Sequence, residues 1–346
     1  MKSIVILFAV IFGTCISCKE LFDPKLEVAN SPLVVDGLIT NQAKPYYIKL
    51  NQSLPFDNNS VNIEYAGVSK ATVSVYDNLG YVYYFKESDK NGVYMSDPSE
   101  FIGVPGRYYT LRIKIVDDIE YQSSPQLLLP NDFKVQASAD YGTSDQSVDD
   151  GTGTFTRKTI PGTNIFFTIE NNEDSVIRFR FEHKIFVEYG HPSPPCPSAE
   201  PLPDNNLINI TSNYSTSTNN IEMHNVCFVP TYDVAKNKKC GYVFKFVTKI
   251  IQYRLNNETY QYYKNINTIL AATGKIFDPI SSQVNGNVKC ISNEKSKVLG
   301  FFEASSARYS YYALYSFSKR LEDVTKDSPP DNDPGYLTDS LGFFVY

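Results

Sequence analysis

Alternation of apolar and polar residues, repeated along most of the chain, constrains the fold more than any other feature of this sequence. In "VIRFRFEHKIFVEY" (176–189) Ile177, Phe179, Phe181, His183, Ile185 and Val187 share one face. Arg178, Arg180, Glu182, Lys184 and Glu188 share the other. Successive side chains of a strand point to opposite sides, so this pattern describes a strand with one buried face. The same period recurs in "PYYIKLNQ", where Tyr46, Ile48 and Leu50 fall together, and in "KATVSVYD" with Ala71, Val73 and Val75. In "RYYTLRIKIV" it groups Tyr109, Leu111, Ile113 and Ile115. Turn signals punctuate these runs at Asn78-Leu79-Gly80, Asn91-Gly92 and Asp117-Asp118.

The expected fold is therefore mainly β: two antiparallel β-sandwich domains, Ig-like or transthyretin-like, the second with one inserted α-helix. Residues 32–131 form the N-terminal sandwich and residues 132–164 a linker or exposed loop. The latter contains "SADYGTSDQSVDDGTGTFTRKTIPGT", which is polar and rich in Gly, Ser, Thr and Asp. Its aspartates match no EF-hand register, so a solvated loop is expected there rather than a calcium loop. Residues 165–346 form the C-terminal β-rich domain. Its helix is expected near 257–273, capped by Asn256 or Asn257 and ended by Gly274, with Tyr260, Tyr263, Ile266 or Ile269, and Leu270 facing inward. Further strands are expected at "HNVCFVP", "CGYVFKFVTKIIQYRL" and "KVLGFFEASSA".

The first 17 residues read as a lipoprotein signal peptide. Lys2 supplies the positive end, and the apolar run "IVILFAVIF" (4–12) is too short to cross a hydrocarbon core of about 30 Å. Two cysteines follow. Cys18, preceded by Ile16 and Ser17, fits the residue that becomes the lipidated N-terminus; Cys15 fits less well and is lost with the signal. The pair sits at a cleavage junction and has no further ligands nearby, so neither a redox nor a metal role is expected. Residues 18–31 become a tether, and the mature chain is expected on a membrane through its lipid.

Of the 6 cysteines, Cys196, Cys227, Cys240 and Cys290 remain beyond the signal. In an oxidising compartment they are disulfide candidates, with three connectivities open if all pair; each bridge would contribute about 2–4 kcal/mol. A Cys₄ zinc site lacks any supporting CxxC pair. The 3 histidines, His183, His191 and His224, form no HExxH pairing, and His183 lies on an apolar strand face. No G-x-S-x-G elbow, P-loop or dinucleotide fingerprint occurs. No catalytic residue, metal or cofactor is therefore expected. A net charge of −6 gives no basic footprint for nucleic acid.

Several stretches resemble one family. They are "LVVDGLIT…YYIKLNQSLPFD", "GVSKATVSVYDNLG…GVYMSDPSEFIGVPGRYYTLRIK", and "YQYYKNINTILAATGKIFDPISSQVNGNVKCISNEKSKVLGFFEASSA". The last carries Gly274, Asp278-Pro279, Gly286-Asn287 and Leu299-Gly300-Phe301-Phe302. Together they resemble a Bacteroidota outer-membrane lipoprotein family, domain of unknown function 4249, over most of residues 18–306. The resemblance implies an outer-membrane lipoprotein, often encoded near TonB-dependent transporters, and supplies no catalytic residues. Lys19-Glu20 after the anchor resembles the signal that sends such lipoproteins to the cell surface. The expected role is a surface-anchored, non-enzymatic accessory or binding subunit, beside a TonB-dependent transporter or another outer-membrane complex. Capture of a glycan or peptide is the alternative, with tyrosines such as those of "ARYSYYALYSF" stacking on sugar rings. A hydrolase is the second alternative.

Overall fold

The computed structural model describes residues 32–52, 66–149, 155–190, 199–201, 208–214, 216, 218–230, 242–271, 284–294, 296–315 and 321–323. The first strands are β1 (Leu33–Ile39), β2 (Tyr47–Gln52), β3 (Ala66–Gly67), β4 (Thr72–Asp77) and β5 (Val82–Glu87). Next come β6 (Val93–Met95), β7 (Tyr108–Lys114), β8 (Glu120–Ser123) and β9 (Gln126–Leu127). A long pair follows, β10 (Lys134–Asp149) and β11 (Phe155–Glu170), then β12 (Arg178–Gly190), β13 (Ala199–Pro201), β14 (Asn209–Ser212) and β15 (Ile221–Pro230). The remainder is β16 (Tyr242–Arg254), helix α1 (Asn257–Ala271), β17 (Val288–Cys290), β18 (Val298–Ala304), β19 (Ser306–Tyr315) and β20 (Leu321–Asp323).

Among the described residues, eleven strands form one nearly closed, barrel-like sheet in the order β17-β8-β7-β4-β5-β6-β2-β1-β18, with β3 beside β2 and β9 beside β7. The alternation read from the sequence fills its interior: Tyr46, Ile48, Leu50, Val73, Val75, Tyr109, Leu111 and Ile113 are all buried. Phe101, from the loop before β7, packs among Tyr46, Tyr83, Phe85 and Tyr109. Two smaller sheets, β10-β11-β15 and β13-β12-β16-β19-β20 with β14 beside β12, share a second core. Phe179, Phe181, Ile185 and Val187 of β12 enter it, as their spacing predicts.

Two expectations are corrected. The C-terminal domain was expected to hold residues 165–346, yet β17 and β18 belong to the first sheet. β18 pairs in parallel with β1, from Leu33 opposite Val298 to Ile39 opposite Ala304, and β17 pairs with β8. The first unit is therefore a mixed, nearly closed sheet and not an antiparallel sandwich of residues 32–131. Alternation reveals that "KVLGFFEASSA" is a strand, but not which distant strand it joins.

The second correction concerns residues 132–164, expected as a linker or loop. Residues 134–149 and 155–170 instead pair in one continuous antiparallel register, from Lys134 opposite Glu170 to Asp149 opposite Phe155. The backbone ladder holds this ribbon, and among the described residues only its inner half joins the second core, so no apolar pattern marks the rest in the sequence.

The closing seam between β17 and β18 rests on Asn287. Its amide donates to the Phe302 carbonyl at 2.8 Å and its carbonyl accepts the Phe302 N–H at 2.8 Å, imitating a strand partner in a buried position. Beside it Gly286 lies so close that a Cβ would stand 1.7 Å from the Gly300 carbonyl oxygen. Gly300 itself has φ +87, a backbone conformation that disfavours other residues. Replacing Asn287 by Ala strands both Phe302 backbone groups away from water. The expected loss is about 2–4 kcal/mol, read as a lower denaturant midpoint with an unchanged m-value.

Candidate functional site

Where the two units meet, charge is buried. Arg180 of β12 stands opposite Tyr253 of β16, and Glu303 of β18 stands opposite Leu38 of β1, so the pair joins the second core's sheet to the barrel-like one. Their side chains are 7 % and 4 % exposed, and the guanidinium Nη2 lies 3.4 Å from the carboxylate. Tyr263 of α1 donates its hydroxyl to Glu303 at 2.5 Å. Tyr253 donates to Glu182 at 3.1 Å, and Glu182 also pairs with Arg180. The guanidinium sits 4.1 Å from the Tyr253 ring centre and 4.9 Å from that of Tyr263, so both aromatic faces stabilise the cation.

Alternation explains the placement. Arg180 occupies the face of β12 turned away from the Phe179–Phe181 core, and there it meets the barrel and the helix. Burial acts to lower the Arg180 pKa, but Glu303, Tyr263 and Glu182 more than offset it and hold the group firmly charged. Burial lifts the Tyr263 and Tyr253 phenols well above their usual range, so both remain hydrogen-bond donors. The Arg180 Nε is buried without a hydrogen-bond partner among the described residues.

Further hydrogen bonds extend this seam. Gln126, fully buried, accepts from Asn256 at 2.8 Å and from Thr259 at 3.3 Å. It donates to Glu258 at 2.6 Å. Asn256 caps α1 by accepting the Thr259 N–H at 2.9 Å, one of the two caps expected from sequence. Gln42 donates to the Ala307 carbonyl, and Asn131 to the carbonyls of Gln252 and Ser306. The helix turns Tyr263 inward as expected, whereas Leu270, also expected inward, is 54 % exposed.

The remaining sequence candidates are dispersed. His183 is half-buried on β12. The His224 Nε2–H donates to the Asn209 side-chain oxygen at 2.6 Å, and burial holds the imidazole pKa down at about 4. Cys227 lies in the second core and Cys290 in the first, so the two do not pair, and Cys290 is a free buried thiol, which departs from a two-bridge framework. Cys18, Cys196, Cys240, His191 and Gly274 lie outside the described residues. No group of three or more metal-ligating side chains occurs among the described residues. Of the tyrosines in residues 307–317, Tyr312 is buried in the second core, as strand alternation dictates, and is unavailable for stacking. The seam escaped the sequence reading because its members lie on strands and a helix far apart in the chain. The one signal was an arginine flanked by phenylalanines in a strand.

The seam joins the two units through buried, paired charges. Desolvating Arg180 and Glu303 offsets most of their attraction, but a misaligned interface would leave a bare buried charge. Arg180→Met or Glu303→Leu alone is therefore expected to destabilise by about 3–5 kcal/mol, and the double variant by clearly less than the sum, measured as a double-mutant cycle. A second test uses pH. The unfolded His224 takes up a proton near 6.5 and the native one only near 4. Stability is then full above about pH 6.5 and falls by at most about 3 kcal/mol as pH drops through that window. His224→Gln should flatten that part of the profile.

A family model described as "Domain of unknown function (DUF4249)" matches residues 19–310, a span that runs from before β1 into β19 and includes Arg180, Tyr263, Asn287 and Glu303. No curated protein and no solved structure matches the chain. With most of its length matched, the chain belongs to the DUF4249 family.

Proposed function

We propose that this protein is a lipid-anchored, non-enzymatic binding or assembly subunit of the outer-membrane surface, working beside a TonB-dependent transporter or another outer-membrane complex. The observation that carries the reading is the outer half of the β10–β11 hairpin. β15 accompanies β11 only from Ile169 to Gly162, where Pro230 ends the pairing. Beyond that point residues 143–149 and 155–161 continue the β10–β11 ladder with one another. Thr156, Arg157, Lys158 and Thr159 are exposed, and Asp145 links to Arg157 and Thr159 across the ribbon. A polar, exposed two-stranded ribbon gains stability when it is covered, so an arm of this kind suits engagement of a partner.

The anchor signal at Cys18 supports the same reading. From Cys18 to Leu33 the chain reaches at most about 50 Å, a leash that keeps the folded part close to a membrane. The buried seam supports a rigid scaffold rather than a catalytic cleft, because its charged groups are enclosed and already paired.

Replacing residues 144–160 by an Asn-Gly turn should leave the unfolding midpoint within about 0.5 kcal/mol of the parent, while outer-membrane proteins crosslinked to the intact chain are lost. Retention of those partners by the shortened chain would refute the arm's role. Cys18→Ala should move the protein out of the membrane fraction, and a variant that stays there rules out lipid anchoring at this residue.

A further inference from the structure

The outer wall of the barrel-like sheet carries a row of side chains that crosses five strands. Tyr84 of β5 stands opposite Ser74 of β4, and Ser74 opposite Arg112 of β7. Arg112 in turn stands opposite Gln122 of β8, and Gln122 opposite Lys289 of β17. These residues alternate along their strands with Val75, Phe85, Leu111, Ile113 and Tyr121, which enter the core, so the row faces outward. At about 4.8 Å per strand it runs for about 19 Å.

The row has a low centre between larger side chains. Ser74 is buried although it lies on the outer face, and its cross-strand neighbours Tyr84 and Arg112 are both exposed. The Tyr84 ring is the more open, at 63 %. Tyr84, Tyr76 and Tyr108 fall on a diagonal of the same face, each one strand over and two residues along from the last. That sets them about 7–8 Å apart. Arg112 lies 5.2 Å from the Tyr76 ring centre and donates its Nε–H to Gln122 at 3.1 Å. Ring and amide together fix the orientation of the guanidinium. Its Nη edge, which grips a carboxylate through two parallel N–H bonds, takes no partner among the described residues.

Charge narrows what such a row accepts. The chain as a whole has a net charge of −6, yet Arg112 and Lys289, on either side of Gln122, join no ion pair among the described residues. Lys114, on the same face, is occupied by Asp118 at 2.9 Å and Glu120 at 3.9 Å. Two free cations are few for a phosphate backbone. A lipid surface is matched by apolar side chains that dip into it, whereas here the rings lie along the wall of a sheet among polar groups. An open tyrosine ring packs the apolar face of a sugar, planar Arg and Gln side chains bond its hydroxyls, and a free guanidinium takes a carboxylate.

We infer that this row binds an acidic oligosaccharide built from uronic-acid units. One sugar ring packs on Tyr84, and the carboxylate of another further along is held by Arg112 and Lys289. Ser74 leaves the space across which the chain passes. The inference deepens the binding role proposed above and rests on that reading. It uses neither the β10–β11 arm nor Cys18, so the purified chain tests it separately from both.

The test runs the detergent-solubilised full chain through native gels containing polygalacturonate, with neutral dextran as the control. Polygalacturonate should retard the parent chain and dextran should not. Tyr84→Ala and Arg112→Gln, both at exposed positions, should each weaken retardation several-fold with an unchanged unfolding midpoint. Tyr214→Ala, 76 % exposed in the second unit, should leave it unaltered. Absence of retardation by polygalacturonate overturns the inference. Full retardation of Tyr84→Ala also overturns it, since charge alone would then explain binding. So does equally tight binding of oligothymidylate or of phosphatidylglycerol vesicles, which would mark a general affinity for polyanions or for membranes. Crosslinked partners and membrane attachment do not enter this assay, so a failure here leaves the arm and the anchor standing.

Discussion

Everything in this structure depends on the return of residues 284–304 to the first sheet. A barrel-like sheet built from residues 33–127 alone would leave β1 with an open edge and β8 with another. β18 covers the first and β17 the second, and the Asn287 side chain bridges the two. The closure is tight enough to demand two glycines, Gly286 and Gly300, at the point where the backbones touch. Burial of Val288, Cys290, Phe302 and Ala304 in the same core as Val35 and Leu111 makes the return a hydrophobic event as well as a hydrogen-bonded one.

That return also builds the seam. Because β18 sits in the barrel-like sheet, Glu303 is carried to the boundary where Arg180 and Tyr263 wait on a second sheet and a helix. Only Ser305 separates β18 from β19, so the chain passes from one sheet to the other in a single residue. A loose linker between units would tolerate many relative orientations. A one-residue crossing beside a buried ion pair and two stacked phenols tolerates few. Rigid presentation of the β10–β11 arm follows from the same constraint, because the arm's base is fastened to the second core through Ile165, Phe167 and Ile169.

Local features of this fold were legible in the sequence and distant ones were not. Period-two alternation placed Tyr46, Ile48, Leu50, Val73, Tyr109 and Phe179 inside correctly, because a half-buried strand writes its geometry into every second residue. The helix and its Asn256 cap were legible for a similar reason: a cap is a contact between neighbours in sequence. The exposed Leu270 shows the limit, since its spacing matches the buried face and yet its side chain is largely open to solvent. The parallel pairing of β1 with β18 spans more than 250 residues, and nothing in "LVVDGLI" names its partner. The arm was misread for a different physical reason, as a ribbon without a core has no apolar face to display.

The position of β1 has a mechanical consequence. β1 lies between β2 and β18 and enters the sheet at Leu33, paired at once to Gln52 on one side and Val298 on the other. A pull on the chain ahead of Leu33 therefore runs along the strand, and the ladders on both flanks carry it together in shear. An edge strand, or a hairpin pulled from its open end, would instead unzip one bond at a time. The geometry makes this strand a firm point of attachment, able to bear a load at its leading end without first peeling from the sheet.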